Sequence, residues 1–456
     1  MRETFDRAEL SPADQLSYDL FEKMIERSTA GYQFRKNDYL FDQMNGLQSF
    51  VPSFLINIHR VTDLATAEAY VSRLRGSDVM IDQALAEAQE RAEARVMPPR
   101  WVYAYVISDA RNVMSGAPFE EGEDSPIFAD LKQKVSALDI PDAEKQRVIA
   151  GGRQALLDDL APAYRRLVAL MEEQQAVAPT DDGVWRLPRG AEYYAERLSN
   201  YTTTDLSADQ IHQLGLQEVA RIHGEMRTIM EQVGFAGTLQ EFFAHLRGDE
   251  RFFYDNREAY LADVTGVLDR MEAALPGYFH TLPQAELRVK AVEAFREQSA
   301  GKAFYQSPAP DGSRPGTYYV NLYRLGDMSK TELEALAYHE GLPGHHLQRS
   351  IQTELGDVPP FRRFGGVTAY TEGWGLYSEE LGKDMGFYQP RIRISGGWGW
   401  NCGARRVWWW TPASTTSAGA ASRLSNGCRR TRQILKATCA RQSSATSSIR
   451  GRRPPT

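Results

Sequence analysis

Apolar residues recur at three- and four-residue spacing through most of the first 300 positions. The clearest runs are 11–28, 64–96, 127–176, 206–234 and 257–274, with polar residues between the apolar ones. That period predicts amphipathic helices, each turning one stripe towards a core. Side chains able to cap a helix precede several runs, as in Ser11-Pro12-Ala13-Asp14, Thr204-Asp205-Leu206-Ser207-Ala208-Asp209 and Thr238-Leu239-Gln240-Glu241. Each offers an acceptor to N–H groups that a first helical turn leaves without partners. Residues 1–300 therefore read as helical scaffold.

Near residue 303 the period shortens. Ala303-Phe304-Tyr305-Gln306-Ser307 runs into a turn rich in Pro, Asp, Gly and Ser, and Thr317 to Tyr323 is β-branched and aromatic, which predicts a strand. Ser329 is placed to cap the next helix, whose first turn carries Glu332 and Glu334 and which delivers His339. The expected fold class is mainly α, with a small β element at about 303–323 next to a metal-binding helix. An edge strand in that position would hold an extended peptide by backbone pairing. Tyr318, Tyr319 and Asn321 are the candidate substrate-binding residues on it.

Composition fits a globular protein with a sizeable core: of 456 residues, 42% are hydrophobic and 25% charged. There is no apolar run of 18 residues, so no transmembrane segment is expected, and the N-terminus lacks the pattern of a signal peptide. The net charge of −7 conceals two unlike parts. From Pro390 onward there are 13 basic and no acidic residues, which leaves 40 basic (53 − 13) and 60 acidic residues before it, a net −20. An acidic body disfavours nucleic acid as a partner. Cys402, Cys428 and Cys439 also lie beyond 390, so the body has neither disulfides nor thiolate ligands.

The chemistry concentrates in His339-Glu340-Gly341-Leu342-Pro343-Gly344-His345-His346, which holds three of the eight histidines. A zinc hydrolase needs neutral imidazoles and a carboxylate as ligands, with a further carboxylate beside the metal's water. His339, one of His345 and His346, and Glu372 or Glu379 can supply the ligands, leaving Glu340 as base. The usual signature spaces its histidines by four on one helical face, but here position 343 is proline. On a regular helix His345 would lie about 120° off the face of His339, and His346 about 10 Å along the axis. Pro343-Gly344 predicts a break in the helix that returns one histidine, with His345 favoured. Glu372 is favoured over Glu379 because it opens its helix. Trp374 and Tyr377 read as core. A cluster of this kind could also be an exposed helix end, but the strand before it, the break within it and the acidic aromatic helix after it argue together for a Zn2+ site.

The stretches DGSRPGTYYVNLY, ALAYHEGLPGHHLQ and AYTEGWGLYSEELG resemble the bacterial "domain of unknown function 885" family, mostly helical proteins related to HExxH oligopeptidases. The resemblance spans most of 1–389, with its most specific motifs between 311 and 388. It implies a helical peptidase fold around a deep cleft, with His339, His345 and Glu372 as zinc ligands and Glu340 as general base. Members are often exported or lipid-anchored and begin well upstream, so the present start is expected to be truncated. Residues 1–300 would then be scaffold and 301–389 the catalytic strand and metal-site helices of one domain.

Positions 390–456 read as a disordered tail produced by a shift of reading frame. Trp has the single codon TGG, so Trp408-Trp409-Trp410-Thr411 read one nucleotide earlier yields Val-Val-Asp over its last three codons. The same shift permits Thr-Gly-Ile-His-His across 412–416 and Glu-Arg-Tyr-Ile across 444–447, as the family would continue. The lost segment would have added helices to the cleft and an oxyanion donor, so this chain is expected to be unstable or weakly active. The functional expectation is a zinc-dependent metallopeptidase acting on short peptides. The alternatives are a non-catalytic peptide-binding or scaffold protein of the same fold, and a metal hydrolase of other amides or esters.

Overall fold

A computed structural model describes residues 5–388. The expectations for the segment from about 390, including its disorder and its altered frame, lie outside the described residues. The described chain is mainly helical, with one small sheet. Its contacts divide it into two units, one of residues 31–194 with 292–301 and the other of 5–30, 195–291 and 302–388. Residues 292–301 thus belong with the first unit, and the helices of 195–291 with the metal-site segment.

In the first unit the long periodic runs break into shorter helices. The run 64–96 becomes Leu64–Arg75 and Ser77–Glu93, parted at Gly76, and Asp63 and Thr66 form a reciprocal capping box at its start. The run 127–176 becomes Pro126–Ser136, Asp142–Ala155 and Ala161–Val177, with a π turn at Leu156–Leu160. Pro141 occupies the position just before the second of these. Pro162 lacks the N–H that a regular ladder would use, and the π turn just before it absorbs the mismatch. Tyr70, Leu74, Tyr103, Leu131, Tyr164 and Leu167 are fully buried in the common core.

The second unit is built on the helices Ala208–Gln232, Leu239–Gly248 and Arg257–Ala274. Ser207 with Gln210 and Thr238 with Glu241 cap the first two as capping boxes. Tyr260, Val264, Val267, Leu268 and Met271 of the third pack against the sheet and the metal-site helices. Each such side chain buried on folding contributes roughly 1.5–3 kcal/mol.

The sheet holds β1 (Leu287–Ala291), β2 (Ala303–Gln306) and β3 (Gly316–Val320) in the order β1-β3-β2. β1 pairs parallel and β2 antiparallel with β3, and Tyr305 faces Tyr318. β1 was not foreseen: its Leu287, Val289 and Ala291 alternate inward, but a five-residue period is too short to stand out beside helices. β3 occupies the centre, so the expected edge strand over 317–323 is corrected on two counts. Both edges of β3 are already paired, and it ends at Val320. Tyr318 and Tyr319 are 0% and 2% exposed, with Tyr319 stacked on Phe304, so they are core rather than a substrate surface. Asn321 lies past the strand end, where its N–H donates to the Lys302 carbonyl and its side-chain oxygen accepts from the Tyr323 N–H. The expected cap at Ser329 is also corrected. The helix starts later, at Leu333, and the Ser329 hydroxyl pairs with that of Thr331.

Candidate metal centre

Every residue of the helix Leu333–Glu340 is buried. It ends at Gly341, the chain passes through a cis Leu342-Pro343 bond, and a second helix runs His345–Glu354. Gly344 is required at this break: a Cβ there would fall 1.9 Å from the His339 carbonyl oxygen and 2.2 Å from that of Tyr338. The break is pinned from two sides. Trp374 Nε1 donates to the Pro343 carbonyl at 2.9 Å, and the His346 N–H donates to that of Gly341 at 3.0 Å.

The redirection brings the rings of His339 and His345 to 4.7 Å, nearly perpendicular. Helix Thr368–Asp384 adds Glu372 from its second turn. Glu372 Oε2 stands 3.4 Å from His339 Nε2 and 3.9 Å from His345 Nε2. One donor atom from each of the three residues falls within 4.8 Å of the others. Two donors bound to one tetrahedral zinc at about 2.1 Å stand about 3.4 Å apart, so the set fits a single small cation.

His346 is directed elsewhere. Its Nε2 donates to the Ala285 carbonyl at 3.0 Å and its Nδ1 accepts from the Tyr305 hydroxyl at 2.9 Å, so both ring nitrogens are occupied. Neither ring nitrogen of His345 has a hydrogen-bond partner among the described residues. Burial and the neighbouring His339 push His345 down to about 4, which keeps it a neutral donor at physiological pH.

Glu379, the alternative ligand, sits behind the site. Its carboxylate meets His339 Nδ1 at 2.8 Å, which fixes the tautomer and turns Nε2 towards Glu372. Burial works against a charge on His339, but hydrogen bonds to Glu372 and Glu379 outweigh it and raise the imidazole to about 10. A positive charge is thus stabilised at this point. Glu340 is 5% exposed and has no hydrogen-bond partner among the described residues. Burial, opposed by His339 and reinforced by Glu372 and Glu379, raises it to about 7.

Sequence reasoning missed the glycines that let these helices meet. Gly375 and Gly382, seven apart on one stripe, lie against the rings of His339 and Tyr338, where a Cβ would come within 2.6 and 2.7 Å. Their spacing is a legible sign of close helix approach. The role of Tyr305 had no such sign, since its partner His346 lies 41 positions away.

The family model described as "Bacterial protein of unknown function (DUF885)" matches residues 1–396. Among solved structures, one described as "the putative lipoprotein from Colwellia psychrerythraea" is similar, with a TM-score of 0.72 and 30% identity over 77% of this chain. The match covers 60% of that chain, so the present chain spans less than two thirds of its length. No curated protein matches.

Proposed function

The chain belongs to the DUF885 family, and within it we propose that it is a zinc-dependent hydrolase of short peptides. One observation carries the reading. The buried carboxylate of Glu340 has no hydrogen-bond partner among the described residues, directly beside a His339-His345-Glu372 donor set that fits one cation. A buried, unpaired carboxylate costs stability and is kept where its proton affinity is used.

His339, His345 and Glu372 would hold the ion. When bound, zinc polarises a scissile carbonyl and makes water more acidic. Glu340, poised near neutrality, takes the proton of the attacking water and delivers it to the leaving amine. Glu379 keeps His339 in the tautomer that donates through Nε2. The outer edge of β2 carries no strand among the described residues, and Tyr305 on it stands 6.4 Å from His345 between ring centres. That edge takes over the peptide-holding role first expected of β3.

Among the described residues no helix is long and apolar enough to cross a membrane. The lipoprotein description of the similar structure supports a periplasmic or lipid-anchored site of action. Metal analysis of purified protein with Glu340→Gln tests the reading. About one zinc per chain in both proteins, with peptide hydrolysis only in the parent, is expected, and undiminished turnover in the variant overturns it.

A further inference from the structure

The donor set has unlike surroundings on its two sides. Three carboxylates, Glu340, Glu372 and Glu379, bear on His339. The flank of His345 and Tyr305 carries two arginines instead. Arg349 follows His345 by one helical turn on the same face. Arg314 lies in the turn between β2 and β3, its Nη1 donating to the Ser307 carbonyl at 2.7 Å. Two residues on, a Cβ at Gly316 would fall 2.5 Å from the Tyr305 hydroxyl and 2.4 Å from His346 Nδ1, so this end of the hairpin packs at the site. The charges of both arginines reach the Tyr305 phenol, and that of Arg349 reaches His345.

Both arginines are partly buried, and neither has an ion-pair partner among the described residues. Arg349 uses Nη1 alone, donating to the Gln352 side chain at 2.7 Å and the Gly365 carbonyl at 2.9 Å. In each guanidinium Nε and Nη2 are left without a partner among the described residues. Their hydrogen bonds go to neutral acceptors, and the charge of Asp311 reaches Arg314 without a direct ion pair. Of the other partly buried arginines, some pair with acids, Arg221 with Glu218 and Glu225 and Arg296 with Glu293, while Arg186, Arg362 and Arg363 also rest on neutral acceptors. The acids nearest by are engaged elsewhere. Glu354 accepts from the backbone of Gln284 and Ala285, and Asp311 from Ser313.

We propose that this flank binds a carboxylate of the substrate, a free C-terminus or an acidic side chain within about two residues of the scissile bond. The reach follows from a residue spanning about 3.5 Å and from Cβ atoms one helical turn apart lying about 5–6 Å from each other. A guanidinium presents paired donors that match a carboxylate, and a partly desolvated one without a counter-ion gains most from it. The proposal rests on the hydrolase reading for its substrate but concerns binding, so the two are tested apart.

Three short peptides of one sequence are titrated calorimetrically into the zinc-loaded Glu340→Gln protein, which removes turnover. One ends in a free carboxylate, one in an amide, and one in an amide preceded by glutamate. Amidation is expected to weaken binding about tenfold or more, and the double substitution Arg314→Gln with Arg349→Gln to erase that difference. Recovery in the glutamyl amide shows that an acidic side chain serves as well as the C-terminus, and its absence restricts the site to the C-terminus. Equal affinity for all three peptides overturns the carboxylate site even if the parent cleaves them. Discrimination by a protein that cleaves none of them upholds the site and removes the hydrolase reading.

Discussion

Gly375 lies against the imidazole of His339, so closely that a Cβ there would stand 2.6 Å from both Cε1 and Nε2. The helix that carries Glu372 can approach only because this position is bare. Gly375→Ala should therefore separate two properties. Alanine favours a helix by about 1 kcal/mol over glycine, yet the displaced ring should lower zinc affinity at least about tenfold. Competition against a coloured chelator beside thermal unfolding reads both, and unaltered affinity would show that the ring has room to move.

Glu379 holds His339 from behind through Nδ1. Glu379→Gln keeps an acceptor but removes the charge, so zinc should bind about 10–100-fold more weakly, with one site per chain retained. Complete loss of stoichiometric zinc would instead mark Glu379 as a ligand.

The two adjacent histidines should respond differently. His345→Ala removes a donor and is expected to abolish stoichiometric zinc. His346→Ala should keep one zinc per chain and destabilise the fold by about 1–3 kcal/mol, since Tyr305 and Ala285 lose a buried partner. Zinc content and chemical denaturation of both variants decide this, and the reverse pattern would exchange the roles.

Asp109 gives a pH dependence unrelated to the metal. It is 1% exposed, its Oδ2 accepts from Ser299 at 2.7 Å and from Gln48 Nε2 at 3.4 Å, and its Oδ1 has no partner among the described residues. Burial, opposed by the bonds from Ser299 and Gln48, raises it to about 6 from 3.8. A raised carboxyl binds its proton more tightly when folded, so stability is full below about 3.8 and falls as pH climbs to about 6. The loss at neutral pH is of the order of 3 kcal/mol. Asp109→Asn keeps the shape without a titrating group and should flatten that fall. Unfolding followed from pH 4 to 8 checks it, and parallel curves for the two proteins would refute the assignment.

Much of the helical scaffold was legible because a stripe of apolar side chains repeats locally, and capping pairs such as Ser207 with Gln210 sit three residues apart. Strand position was less legible. β2 and β3 were foreseen from composition, but their places in the sheet depend on β1, which pairs across from Leu287 to Gly316. That is why β3 was taken for an edge, and Tyr318 and Tyr319 for substrate contacts.

The sequence by itself determined the kinds of donor, their crowding into one octet and the need for a break at Pro343-Gly344, because proline and glycine act on the backbone wherever they stand. Only the tertiary structure decided which histidine faces Glu372 and which is held by Tyr305 and Ala285. It likewise decided that Glu379 stands behind His339 and that β3 lies between β1 and β2. Those choices are made by packing between residues 27 to 61 positions apart, and no local period records such contacts.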